Sequence, residues 1–331
     1  TMPIFKDIKP CVLKNGVVQY YLNPADLSKK ADGTSADITS GTDGDVMIEI
    51  PKTGFKITTV GNTLTIKVTD SPNDTANFKY YAHTRATEGD RSKLYIVAYL
   101  GSNVSSKLRS LSGKAPYAGG TAPAGTIGTC RTMAQANGAG YDQVSFYPLT
   151  LLQCLFLIKY KHLNSQVALG RGYVDGNSAA IATGGTNAKG IDFGESTGKM
   201  QMCFLNIEDM WGNLRWWIDG FWSDASRNMW TAFTGFNDTG SGYTNRGQGA
   251  TADIGNYMSK PQGTTEAGFV AKEVSGSETT YFSDYANLSA SRMPYFGGHW
   301  NNASYAGVFY LGVYASASSS DSYLGARLMF L

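Results

Sequence analysis

From residue 8 to about 71 the pattern of hydrophobic and polar positions is one of strands and turns. VVQYYL and VMIEI read as short apolar-rich strands, and FKITTVGNTLTIKV alternates apolar and polar positions with a period of two, which places one face of a strand in a core and the other toward water. The last of them is interrupted by Gly61-Asn62, a turn pair that predicts a hairpin. KLYIVAYL at 93–100 predicts a further strand, and a loop rich in Gly, Pro and Ala follows across 112–125.

The texture then changes. TCRTMAQAN at 129–137, which runs into Gly138, and the segment 146–164, with Pro148 in its first turn, predict two helices. LTLLQCLFLIKY within the second is apolar nearly all round, as expected of a helix buried between layers. Beyond it the pattern predicts short strands separated by many Gly turns. The class is therefore α+β: loop-rich, with two main helices and a β-rich N-terminal segment. Composition shifts near 43–45 and across 112–125 are the candidate boundaries. They divide the chain into an attachment segment, 1–44, and a domain, 45–331. No heptads and no solenoid period are visible.

Charge narrows the function. The 331 residues carry 28 Lys+Arg against 26 Asp+Glu, a formal net charge of +2, and no basic cluster extends beyond Lys29-Lys30. Nucleic-acid binding is therefore not expected. The longest apolar stretch, around 149–158, is too short to span a bilayer, and no signal peptide is read at the N-terminus, so the expectation is a soluble chain without membrane insertion. Cys11, Cys130, Cys154 and Cys203 lack metal-site spacing and read as free buried thiols made in a reducing cytoplasm.

Two segments stand out. In IEDMWGNLRWWIDGFW, Trp211, Trp216 and Trp217 surround a Gly212-Asn213 turn, and rings of that size belong in a core. The run 284–323 holds six tyrosines among Ser, Asn, Gly and Ala, and between Arg292 and Arg327 only Asp321 is charged. Tyrosine gives broad contact area at low entropic cost and Ser, Gly and Asn give adaptable hydrogen bonds, so this is the composition of a paratope. Such contacts need no charge, and binding should depend little on salt.

WGNLRWWIDG resembles an element of the formylglycine-generating-enzyme branch of the C-type lectin fold, and RMPYFGGHW at 292–300 with LGARL at 324–328 resembles that branch's closing pattern. Within the branch, the frame Gly297, Gly298, Trp300, Ala306, Gly307, Phe309, Gly325, Ala326, Arg327 is similar to the variable proteins of diversity-generating retroelements, particularly phage and prophage ones. DGDVMIEIPK at 43–52 and NSQVALGRG at 164–172 resemble tail-associated proteins of the same group. The resemblance implies a formylglycine-generating-enzyme-like C-type lectin domain whose segment 284–327 is rewritten at adenines of the gene. His299, Asn301, Asn302, Ser304, Tyr305, Tyr310, Gly312, Tyr314, Ser318, Ser320, Asp321 and Tyr323 are then the implied ligand-contacting positions, with Tyr295 beside them. Trp211, Trp216, Trp217, Gly297, Gly298, Trp300, Phe309, Gly325 and Arg327 form the implied scaffold. Arg327 is expected to pair with a buried carboxylate, Asp219 or Glu208.

The implied partner is a host-surface protein or glycan, with other tail proteins and a second copy of the chain as further partners. The implied location is a virion tail, after synthesis in a bacterial cytoplasm. A structural virion protein is the alternative, and buried side chains at Asn301, Tyr305, Tyr314 and Tyr323 would favour it. The branch's oxidase chemistry needs a cysteine pair in the C-terminal part of the domain, and no Cys follows Cys203, so no catalytic residue is named. Calcium is not expected: Asp175, Asn177 and Ser178, like Asn237 and Asp238, read as ordinary turn chemistry. No cofactor and no metal ligand is named.

Overall fold

The structure is a computed structural model describing residues 3–85, 88–120 and 123–331. Its regular elements are mostly short strands, with three α-helices among the described residues, an α+β arrangement. The N-terminal part contributes β1 (Lys9–Lys14), β2 (Val17–Asn23), β3 (Asp26–Lys30), β4 (Asp45–Pro51), the hairpin β5 (Gly54–Val60) and β6 (Thr63–Thr69), and β7 (Lys93–Val97). The middle holds α1 (Ile127–Gln135), β8 (Tyr141–Gln143), α2 (Phe146–Tyr160) and the short α3 (Ser165–Ala168). The C-terminal part supplies β9 (Arg215–Trp217), β10 (Ile254–Tyr257), β11 (Tyr285–Leu288), β12 (Met293–Phe296), β13 (Leu311–Ala315), β14 (Leu324–Gly325) and β15 (Leu328–Phe330).

Two sheets organise these elements. The first is seven-stranded and antiparallel, in the order β8-β15-β7-β4-β1-β2-β3, so the first three strands and the last belong to one hydrogen-bonded sheet. The second is six-stranded, in the order β10-β11-β13-β12-β9-β14, and mixes antiparallel pairs with two parallel ones. The β5–β6 hairpin forms as its sequence predicts, with Gly61 at φ 59° in the turn.

Helix α2 lies in the core. Every residue from Phe146 to Phe156 is buried, and Phe156 meets Phe204, Trp211 and Phe309 edge to face. The helix ends at Tyr160, short of the predicted 164, because Lys161 adopts a left-handed φ of 52° while its N–H still reaches Leu157 O. Helix α1 begins two residues before its predicted start, because the Thr126 hydroxyl caps it by accepting from the Thr129 N–H.

Asp219 ties these layers together. Its backbone carbonyl accepts from the Phe146 N–H at the start of α2, and its carboxylate takes a fork from Arg131 of α1 (Nε 2.9 Å, Nη2 2.5 Å). Arg131 Nη1 also reaches Asp238 at 2.7 Å. Asp219 is fully buried, and desolvation raises its carboxyl to about 6 despite the guanidinium beside it. No helix among the described residues is long and apolar enough to cross a membrane.

Candidate functional site

The second sheet has two unlike faces because side chains alternate along a strand. Trp216, Ala286, Leu288, Phe296, Leu311 and Val313 point into the core that contains α2. Their neighbours Arg215, Tyr285, Asn287, Tyr295 and Tyr314 point the other way and line a cavity of about 510 Å³. Tyr310, Tyr305, Tyr323, Asp321 and Asn302 complete its wall from the flanking loops. Tyrosines thus meet on one face of the sheet, gathered from positions almost forty residues apart.

Arg215 sits at the centre. Its guanidinium lies over three rings, Tyr295 at 5.0 Å, Tyr323 at 5.1 Å and Tyr310 at 5.5 Å, contacts that stabilise it through the ring quadrupoles. Its Nε donates to Asn302 Oδ1 at 3.3 Å. Among the described residues it forms no salt bridge, and its two terminal nitrogens donate to no protein acceptor. The same charge, after desolvation, contributes to holding His299 neutral, with its ring lowered to about 3.

The residues that the sequence nominated fall into distinct environments. Asn301, Tyr305 (43 %), Tyr314 (59 %) and Ser318 are exposed. Ser304, Asp321 and Tyr323 are partly exposed, Tyr323 because its ring stacks on His299 at 4.8 Å. Ser304 shares a 2.7 Å hydrogen bond with the Tyr257 hydroxyl.

Four others are buried. Tyr295 and Tyr310 form the cavity floor, where desolvation raises both phenols. Asn302 is a clamp, since its Oδ1 also accepts from the His299 N–H at 2.9 Å. Gly312 lies opposite Tyr295 in the β12–β13 register, and a Cβ there would stand 2.5 Å from the Tyr295 ring, so any larger residue must displace that ring. Ser320 is only partly exposed and fixes the backbone beside it, its Oγ accepting from the N–H groups of Gly120 and Gly125.

The scaffold residues converge as a unit. Gly297 and Gly298, at φ 93° and 81°, make a turn that docks on the Trp211-Gly212-Asn213 turn, with the Gly212 N–H donating to Gly297 O and the Trp300 N–H to Asn213 O. Trp211, Trp216 and Trp217 are fully buried, and the indole N–H groups of Trp211 and Trp217 donate to backbone carbonyls. Trp300 is half-buried against His299 and Tyr323. Gly307 is needed for close approach, because a Cβ there would lie 2.2 Å from the carboxyl of buried Asp284, whose Oδ2 accepts from the Phe309 N–H at 2.7 Å.

Arg327 departs from its expected pairing. Its Nη2 donates to the backbone carbonyls of Glu208 and Asp209, not to a carboxylate, and its guanidinium lies 5.1 Å from the Trp216 ring. Asp219 is not available to it, being held by Arg131. Burial lowers Arg327 to about 10, and the nearby Asp209 and Glu208 charges counter that effect.

Three of the residues weighed as turn oxygens for calcium, Asp175, Asn237 and Asp238, have their side-chain oxygens engaged within the protein. Asp175 pairs with Arg171, Asp238 pairs with Arg131, and Asn237 Oδ1 accepts from the Thr239 and Ser241 N–H groups. Among the described residues no group of three or more His, Cys, Asp or Glu is placed to hold a metal ion.

Arg215, Tyr257, Tyr285 and Asn287 line or border the cavity without having been nominated. Arg215 stood within the tryptophan segment, where the only available signal was one cation among buried aromatics. Tyr285 and Asn287 lay inside the tyrosine run but outside the resemblance's frame.

No protein-family model and no curated protein matches the chain. Among solved structures it is similar to variants of a protein named major tropism determinant. The P3c variant is 17% identical, with 72% of this chain and 50% of that chain covered, at a TM-score of 0.36. The M1 variant is 12% identical, covering 97% of this chain and 78% of that one, also at 0.36. The I1 variant is 14% identical over the same shares, at 0.37. The chain thus spans half the length of the P3c variant and about three quarters of the other two.

Proposed function

We propose that this chain is a receptor-binding variable protein of a phage or prophage diversity-generating retroelement. Its segment 284–327 would present replaceable contacts to a host-surface protein or glycan, on a C-type lectin domain of the formylglycine-generating-enzyme type. The observation that carries the reading is the two-faced strand β13. Leu311 and Val313 fill the core while Tyr314, their immediate neighbour, stands 59 % exposed at the rim of a tyrosine-lined cavity. A scaffold that must accept changed contacts needs its stability on one face and its contacts on the other.

Asn301, Tyr305 and Tyr314 are exposed and Tyr323 is partly exposed, so these side chains are not buried within the chain, which supports a role in contacting a partner. An oxidase reading has little support. All four cysteines are free and buried, and burial pushes their thiols up, away from the thiolate that such chemistry requires. Adsorption of the purified, fluorescently labelled protein to a panel of bacterial strains tests the proposal. Strain-selective binding that is lost in Tyr314→Ala and Tyr305→Ala is expected, and selective binding indifferent to both substitutions would refute it.

A further inference from the structure

Arg215 changes the chemistry expected of this surface. The tyrosine run is nearly uncharged, yet the side chain at the centre of its cavity is a cation contributed from outside residues 284–327. Three rings and the side-chain Oδ1 of Asn302 fix the guanidinium in place. A planar fork held in that way loses little freedom when it binds an anion, and its geometry matches a carboxylate through two parallel N–H donors. Both terminal nitrogens are uncommitted among the described residues.

The rest of the lining limits what the anion is attached to. A cavity of about 510 Å³ is within the range of small-ligand sites and much larger than one acidic side chain. The Asn287 amide and the Tyr305 and Tyr314 hydroxyls make no hydrogen bond within the protein among the described residues. The Tyr314 ring packs against no other aromatic ring there. Asp321, the other charged group of the wall, supplies an acceptor for hydroxyl donors.

Resting on the receptor-binding reading above, we infer that the cavity takes a carboxylate-bearing sugar of the uronic-acid class, with Arg215 gripping the carboxylate and the tyrosines and Asn287 taking the ring and its hydroxyls. A single acidic side chain would satisfy Arg215 and leave the remaining donors and acceptors unused. A neutral sugar would leave the fork unused.

The test is a titration of the full chain, isotope-labelled so that the Arg215 Nε–H and the tyrosine rings are followed by NMR. Three probes are compared: methyl β-glucuronide, methyl β-glucoside and N-acetyl-glutamate amide. The glucuronide should bind with a Kd of about 1 mM, as a fragment of a larger ligand does, and the other two at least about tenfold more weakly. Arg215→Lys keeps the charge but loses the fork and should weaken the glucuronide about tenfold. Asn287→Ala, a second variant away from the core face, should weaken it about threefold.

Equal binding of glucoside and glucuronide would overturn the inference. So would no shift from any probe, and preferential binding of the glutamate amide would assign the cavity to an acidic polypeptide instead. Cell adsorption separates the two levels. If adsorption requires Tyr314 but the cavity ignores the glucuronide, the sugar inference alone fails. If the glucuronide binds but adsorption is indifferent to Tyr314 and Tyr305, the receptor-binding reading fails.

Discussion

Leu311 and Tyr314 lie on one strand and should respond to truncation in opposite ways. Leu311 is 1 % exposed within the core cluster that holds α2, so Leu311→Ala should cost about 2–5 kcal/mol of folding stability through lost transfer energy and a residual cavity. Tyr314 is 59 % exposed and, among the described residues, packs against no other aromatic ring, so Tyr314→Ala should change stability by no more than about 0.5 kcal/mol. Its effect belongs to binding. A tyrosine buries roughly 150–250 Å² when fully covered, so the part now open offers on the order of 100 Å² to a partner. At about 25 cal/mol/Å² that is about 2.5 kcal/mol at most. Ordering the side chain takes back about 1 kcal/mol, leaving a loss of about 1–2 kcal/mol, or roughly five- to thirtyfold in Kd. Urea unfolding of both variants gives the first quantity, and equilibrium adsorption to a receptive strain gives the second. A Tyr314→Ala protein destabilised by more than about 2 kcal/mol would refute the division of faces, as would one whose adsorption is unchanged.

Three further substitutions probe the support beneath the site. Arg131→Ala leaves the Asp219 carboxylate buried without its fork, and chemical denaturation should show a loss of about 3–5 kcal/mol; a loss below about 1 kcal/mol would mean that Asp219 does not depend on it. Gly307→Ala places a methyl 2.2 Å from the Asp284 carboxyl and should cost about 1–3 kcal/mol, with partial recovery in the double variant with Asp284→Ala. Asp284 is held well above its ordinary range by burial, only partly offset by its hydrogen bond from Phe309, so folding favours the protonated form. Its contribution is therefore fully present below the unfolded carboxyl pKa and declines as pH rises toward the folded value. Asp284→Asn should be more stable than the parent at pH 8, with the difference shrinking toward pH 4, and a constant difference across that range would contradict this.

The sequence made the core face legible because burial leaves a strong pattern. An all-apolar helix, a strand alternating LGVYA and tryptophans around a Gly-Asn turn each have one reasonable packing. The exposed contacts Tyr305 and Tyr314 were visible for the same reason, as the residues that the frame did not claim. Tyr295 and Tyr310, implied as ligand-contacting positions, line the cavity but as its buried floor and not its exposed rim. Only the β12–β13 register, which sets Tyr295 across from Gly312, shows the aromatic packing that buries them. Arg215 and Tyr257 come from strands remote in sequence, and no local pattern places them beside the tyrosine run. Arg327 was legible as buried, but its partners were not, because Asp219 is claimed by Arg131 of α1, 88 residues before it.

The central claim is that nature replaces one face of this segment and keeps the other, and the DNA flanking the gene tests it most directly. Sequencing should find a near-repeat of the stretch encoding residues 291–327, beside a reverse transcriptase gene and differing chiefly at adenines. The differences should fall on the codons of exposed residues such as Asn301, Tyr305, Tyr314 and Ser318, and spare those of Gly307, Phe309, Leu311, Val313 and Arg327. The absence of such a repeat, or differences as frequent at the core-facing codons as at the exposed ones, would contradict the account.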